Sequence, residues 1–417
     1  MAGKPSVIVI GAGSIGVCSA YFLARKGAKV TLLDRGDVCS GSSWGNAGLV
    51  VPSHSVPLAA PGVIWQGLRW MLNPQSPFYI KPRLSWDLAT WLWRFRAACT
   101  EEHVSRASVV LRDVSLKSIE LFDILAAKEE LDFSYERKGM LLLYATEEGL
   151  QAGRHEAGTL RKVGIAASEV DRASLGERMG GVRTNAVGGM YYENEAHLVP
   201  SDFVHALANR ARSIGVEVRT ETEVQGIEMR GRKVAGVKTK AGMLEADEVV
   251  LAAGSWSPGV AKALKLRLPI QPAKGYSITY EKPANAPRLP LMLAEAKAAV
   301  TPMGNMLRFA GTLELAGMDL SINQRRVDAI LLAADRYLPG IRDGLRHVRT
   351  WAGLRPTTPD GLALLGRSTA FDNLTIAAGH AMIGISTGPA SGLLVSQVVT
   401  GEKPFTDIAM LDPQRFT

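Results

Sequence analysis

The stretch that most constrains this chain is "VIVIGAGSIGVCSAYFLARKGAKVTLLDR", residues 7–35. Val7 to Ile10 are apolar and β-branched, as in a strand buried on both faces of a sheet. Gly11, Gly13 and Gly16 follow in G-x-G-x-x-G spacing. In that pattern the first glycine allows a tight turn, and the second lets backbone approach a pyrophosphate. The third lets a helix pack close to the strand. Ser14 and Ile15 open that helix, whose N-terminal N–H groups and dipole suit phosphate. "AKVTLLD" reads as a second strand ending on Asp34, where an acid grips ribose hydroxyls, with Arg35 beside it. The unit predicts a bound dinucleotide and does not separate FAD from NAD.

At 417 residues the chain is long enough for two or three domains, and 47% hydrophobic content is that of a globular protein. The net charge of +8 allows anionic partners. Cys18, Cys39 and Cys99 form no C-x-x-C pair and no metal spacing, so we expect reduced thiols, no metal and a cytoplasmic protein. Cys18 reads as core packing. The N-terminus runs straight into the glycine turn and does not read as a signal peptide. Neither a motif nor a charge run points to nucleic acid.

Further along, a Ser/Gly/Pro-rich loop follows the first unit, then a helical region over about residues 63–130. "KGMLLLYAT" and "EVVLAAG" read as strands, "PSDFVHALANRARSIG" as a helix, and 268–315 as an antiparallel sheet. A helix near Arg325 to Tyr337 follows, and the C-terminal "GHAMIGISTGPASGLLVSQVVTG" reads as loop then helix. The second half of the nucleotide domain is therefore remote from the first, with a substrate domain inserted in pieces.

The ordered set "SSWGNAGLVVPS", "TEVQGI", "VVLAAGSWS", "KGYSIT", "GLRPTTPDG" and "GHAMIGISTGPASG" resembles the D-amino-acid oxidase superfamily over nearly the whole chain. Within it the stretch "NAG…P…PLAAPGV…GLRWML" is most similar to bacterial D-amino-acid dehydrogenases of the small-subunit type. Glycine oxidase and sarcosine oxidase are more distant. The resemblance implies FAD and an α/β fold. A discontinuous Rossmann-like FAD domain of glutathione-reductase type would take residues 1–57, 197–269 and 348–417. An α+β substrate domain with an antiparallel sheet would take 58–196 and 270–347.

It also implies site roles. Ser42 and Ser43 would touch the pyrophosphate, and Val224 the adenine through its backbone. Asn46, Ala47 and Gly48 would lie near the isoalloxazine, and Ala252, Ala253 and Gly254 would bring backbone to the cofactor. Gly379, Gly384, Ser386, Thr387 and Gly388 would face the flavin, their N–H groups stabilising its reduced form. Arg355 of "GLRP" would clamp a substrate carboxylate bidentately. Tyr276 would add a hydroxyl to that carboxylate, and His380 would sit by the flavin ring. His54 stands where dehydrogenase relatives tend to carry tyrosine, and would set pH dependence or substrate shape. The implied reaction is oxidative deamination of a D-amino acid, D-proline or hydroxy-D-proline among them, by Cα hydride transfer to flavin N5. It obliges no general base. The acceptor is a quinone or another non-oxygen acceptor. Two alternatives stay open: a glycine- or sarcosine-type oxidase using oxygen, and an FAD-carrying subunit of a larger complex.

One segment stands apart. Val38 to Trp86 holds no Asp or Glu, and five of the eight tryptophans fall between Trp65 and Trp93, with Arg69, Lys81, Arg83, Arg94 and Arg96 around them. Rings at headgroup level beside cations suit anionic lipid, so residues 65–96 are a candidate peripheral contact with the inner face of the cytoplasmic membrane. The same residues also suit a tryptophan-rich core.

Overall fold

The computed structural model describes residues 4–71 and 76–416. Residues 1–3, 72–75 and 417 lie outside it. So do the first residues of the expected first segment and part of the expected helical region and membrane contact.

Ser6–Ile10 pairs in parallel with Lys29–Leu33 on one side and Glu248–Leu251 on the other. Their β-branched and leucine side chains are buried on both faces, which suits a parallel sheet covered on both sides. Six strands result, in the order Leu364–Arg367, Leu374–Ala378, Glu248–Leu251, Ser6–Ile10, Lys29–Leu33, Glu217–Arg219. Only the Leu364–Arg367 edge is antiparallel. One face carries the helices Ser14–Arg25, Glu101–Ala127, Pro200–Ser213 and Gly388–Thr400, which share a single apolar core. A three-stranded ribbon spanning Gly226–Arg230, Lys233–Thr239 and Gly242–Glu245 covers the other face. A Cβ on Gly392 would stand 2.6 Å from the Cβ of Cys18, so a glycine sets how closely the first and last helices cross. Cys18 is core packing, as expected.

The second sheet runs His347–Thr357, Gln271–Glu281, Met306–Leu315, Ala298–Met303, Leu291–Leu293, Met140–Tyr144, Gly188–Tyr192, Ser168–Asp171, with Phe78–Ile80 added beside Met306–Leu315. It is antiparallel except where Leu291–Leu293 meets Met140–Tyr144 and where Phe78–Ile80 joins. Helix Gln324–Tyr337 packs on it over a separate core.

Three expectations need correction. The sequence assigns residues 348–357 to the dinucleotide domain, but His347–Thr357 is hydrogen-bonded along Gln271–Glu281 in the second sheet. It assigns helix Glu101–Ala127 to the substrate domain, but that helix buries Val110, Leu111, Phe122 and Leu125 in the dinucleotide-domain core. Helical period fixes which face is apolar, not what covers it. The expected helical region is three helices, Val63–Met71, Trp86–Ala98 and Glu101–Ala127, with strand Phe78–Ile80 between the first two.

Candidate functional site

The turn after the first strand works as its glycines require. Gly11 has φ of 109°, and Gly16 lies so close that a Cβ there would stand 1.7 Å from the Gly11 carbonyl oxygen. The N-cap residue, Gly13, has no side chain to close the helix that starts at Ser14. Asp34 fixes the turn from the second strand. Its carboxylate accepts from Ala12 N at 2.7 Å and Gly36 N at 2.9 Å. Burial outweighs those bonds and holds its pKa above the ordinary value. Ser43 Oγ accepts from Ser14 N at 3.0 Å, and Arg35 lies over the Trp256 ring, 4.5 Å from its centroid.

From this turn a cavity of about 1890 Å³ runs between the two sheets. Gly11, Gly13, Ser14, Ile15, Asp34, Arg35, Ser42, Ser43, Val224, Ala252, Ala253 and Gly254 line one end. Asn46, Ala47, His54, Tyr276, Arg355, Gly379, His380 and Gly384 line the rest. Segments hundreds of residues apart thus share one wall.

Arg355 lies on His347–Thr357, paired with Ala273 of Gln271–Glu281, and its side chain passes over Gly275 two residues along. Its Nη1 donates to the Thr312 carbonyl and its Nη2 to the Gly311 carbonyl at 3.5 Å. It forms no ion pair among the described residues, and burial pushes its pKa down to about 10. A half-buried guanidinium held by carbonyls carries no compensating charge, and an anion entering the cavity would supply one. The carbonyls that hold it come from a β-bulge and its edge: Lys274 pairs with Glu314 but Tyr276 with Gly311, so Gly275 faces both Thr312 and Leu313. Thr312 within the bulge has φ of 65°. For a β-branched residue that conformation costs about 1–3 kcal/mol.

The loop at 42–48 is held from below. Arg308, nearly fully buried, donates to the carbonyls of Asn46 at 2.7 Å and Trp44 at 3.2 Å, and to Thr279 Oγ1 at 3.0 Å. Burial lowers its pKa to about 10. Ser42 Oγ donates to the Leu354 carbonyl. Asn46 Nδ2 donates to the Met382 carbonyl at 3.1 Å, while its Oδ1 accepts from Gly48 N. His54 sits in a short helical turn, Pro52–Ser55, whose Ser53 N donates to the buried Glu195 carboxyl at 2.8 Å. Burial, then the charge of Lys297, pushes the His54 imidazole down to about 4, so it is neutral.

Several expected contacts are absent. The Tyr276 hydroxyl faces away from Arg355 and bonds Glu314 at 3.2 Å, because side chains alternate along the strand. His380, by contrast, keeps its place on the cavity wall, with Nε2 paired to Ser391 Oγ at 3.0 Å. Gly16, Gly48, Ser386, Thr387 and Gly388 do not line the cavity. Ser386 Oγ accepts from Val51 N, and the N–H groups of Thr387 and Gly388 are spent on the Ile383 and Ile385 carbonyls. Gly48 instead has no room for a side chain, since a Cβ would stand 2.3 Å from the Leu198 carbonyl oxygen.

The profile of the family described as FAD dependent oxidoreductase matches residues 6–398. A curated relative, the D-amino acid dehydrogenase of Granulibacter bethesdensis, is 32% identical over 98% of this chain and 99% of its own. The chain belongs to the FAD-dependent oxidoreductase family. Among solved structures, glycine oxidase from Geobacillus kaustophilus superposes with a TM-score of 0.80 at 23% identity, covering 99% of this chain and 100% of that one. L-proline dehydrogenase from P. horikoshii gives 0.76 at 21% identity, covering 100% and 98%. These share the fold.

As a member of this family the chain is an oxidoreductase that uses FAD. The residues fit the cofactor. The helix N-terminus at Gly13–Ser14, with Ser43 Oγ on its first N–H, would receive the pyrophosphate, and Asp34 the ribose. Val224 would lie along the adenine, and the small residues Ala47, Gly379 and Gly384 would leave room for the ring system.

Arg308, Gly275, Thr312 and Glu195 went unrecognised in the sequence. Only Gly275 carried a signal, since it lies inside "KGYSIT".

Proposed function

We propose that this flavoenzyme oxidises D-amino acids, proline-type rings among them, and passes the electrons to a quinone rather than to oxygen. The observation that carries the substrate class is Arg355, a half-buried guanidinium on the cavity wall whose partners among the described residues are backbone carbonyls. A planar fork of donors matches a carboxylate. FAD, when bound, supplies the hydride acceptor. Arg355 would then hold the substrate by its carboxylate and so fix which face of Cα is presented, an orientational contribution to rate. His54, uncharged, adds no second cation to compete for the carboxylate. The D-configuration and the dehydrogenase reading rest on the name of the Granulibacter bethesdensis relative.

The acceptor reading rests on the surface around the cavity mouth. Helix Val63–Met71 lines that mouth and has no buried residue. Trp65 is 75% exposed, Trp86 84% and Trp93 70%, with Leu68 and Leu84 also exposed and Arg69, Lys81 and Arg96 around them. Trp91 is different. It is buried, stacks on Phe95 and donates to the Thr357 carbonyl, so part of this tryptophan-rich stretch is core. Exposed rings beside cations support a peripheral contact with anionic lipid, where a quinone would be met. No helix among the described residues is long and apolar enough to cross a membrane.

The test is anaerobic bleaching of the flavin by paired D- and L-amino acids, both prolines and hydroxyprolines included. Bleaching by D-forms alone, with reoxidation by a soluble quinone and little peroxide in air, is the expected result. Bleaching by L-forms, or stoichiometric peroxide, would overturn it.

A further inference from the structure

Behind Arg355, outside the cavity, lies a buried ionic cluster with no part in the reading above. Glu314 is 4% exposed. Its carboxylate receives Arg326 Nε at 2.6 Å, the Tyr276 hydroxyl at 3.2 Å and lies 3.5 Å from Lys274 Nζ. Lys274 also donates to Asp319 at 2.9 Å and to the Ser321 carbonyl at 2.9 Å. Burying the charges of Glu314, Arg326 and Lys274 is costly unless each is paired, so a cluster of this kind fixes geometry more than it adds stability.

The geometry it fixes is the bulge. Tyr276 pairs through its backbone with Gly311, the residue just before the bulge, and through its hydroxyl with Glu314, the residue just beyond it. One residue therefore clamps both ends. On the far flank Leu313 N donates to the Pro77 carbonyl at 2.7 Å, and Arg326 Nη1 to the Ser76 carbonyl at 3.1 Å. Thr312, with φ of 65°, would relax toward ordinary strand geometry if these anchors were released. Its carbonyl and that of Gly311 are what hold the Arg355 guanidinium.

We infer that Glu314, with Tyr276, is a positioning residue for Arg355: it locks the bulge at Thr312–Leu313, so that the Thr312 and Gly311 carbonyls aim the guanidinium at the substrate carboxylate. This rests on the reading of Arg355 given above.

The test uses the FAD-loaded enzyme and two ligands that cannot be oxidised, pyrrole-2-carboxylate and pyrrole, each followed by perturbation of the flavin spectrum. Their affinity ratio isolates the carboxylate. Glu314→Gln should weaken pyrrole-2-carboxylate by about tenfold and leave pyrrole within about twofold, with the turnover loss falling on KM rather than kcat. An equal effect on both ligands, or on neither, would overturn the inference. Should Glu314→Gln not fold, Tyr276→Phe removes one ligand of the carboxylate and no charge. About threefold on pyrrole-2-carboxylate alone is then expected, and an unchanged ratio overturns the inference. Arg355→Lys separates the two layers. If it leaves the ratio intact, the substrate-site reading fails and the inference with it. If it collapses the ratio while Glu314→Gln does not, the inference alone fails.

Discussion

A methyl group at position 275 would stand 2.2 Å from Arg355 Nη1. The neighbouring strand thus carries glycine where the guanidinium passes. The backbone at Gly275 is not in the left-handed region, so alanine fits the strand itself. What must move is the end of a flexible side chain, and that end is the proposed carboxylate clamp. Gly275→Ala is therefore expected to fold and to keep its full FAD content. Its KM for substrate should rise about tenfold or more with a smaller change in kcat. Steady-state kinetics beside the flavin-to-protein absorbance ratio decide it. An unchanged KM would mean that the guanidinium does not meet the substrate.

Among elements, the first strand, turn and helix are a local unit, and almost all of it was legible in the sequence. Gly11, Gly13, Gly16 and Asp34 do their work within about one βαβ turn of chain. Gly16→Ala would push a methyl group to 1.7 Å from the Gly11 carbonyl oxygen, so the helix must lift off the strand. We expect that variant to purify with little FAD, as its visible absorbance would show. The machinery around Arg355 was not legible, because a bulge is a property of two strands and not of one. Glu314, Arg326 and Arg308 read as ordinary surface charges until pairing carries them inside. Tyr276 was singled out for the right strand and the wrong face, a one-residue question that alternation alone decides. The helix at Val63–Met71 gives its own test. Replacing its Trp65, together with Trp86 and Trp93 of the neighbouring segment, by serine removes exposed apolar surface that does not line the cavity. Flotation with anionic vesicles should be lost while reduction by substrate is kept. Flotation that survives the triple substitution would place the proposed contact elsewhere.

For the whole molecule, four buried or cavity-lining groups tie stability to pH with opposite signs. Burial pushes His54 and His380 down to about 4, and holds His197 below its ordinary value too. An unfolded imidazole titrates near pH 6.5. Below that value the unfolded chain takes up protons that the folded chain refuses, so stability is full above about pH 6.5 and falls toward pH 4. Glu195 runs the other way. Burial raises its carboxyl from 4.5 to about 8, so the folded chain keeps a proton that the unfolded chain releases. Its contribution is complete below pH 4.5 and is lost as pH rises to about 8. Between pH 4.5 and 6.5 three imidazoles oppose one carboxyl and win. Above 6.5 only the carboxyl remains. Urea midpoints across pH 4.5 to 8.5 should therefore peak near pH 6.5 and fall more steeply on the acid side. Glu195→Gln removes the proton exchange but keeps an acceptor for Ser53 N. It should flatten the alkaline decline and leave the acid limb as it was. An alkaline decline of unchanged slope in that variant would show that Glu195 is ionised in the folded enzyme at neutral pH.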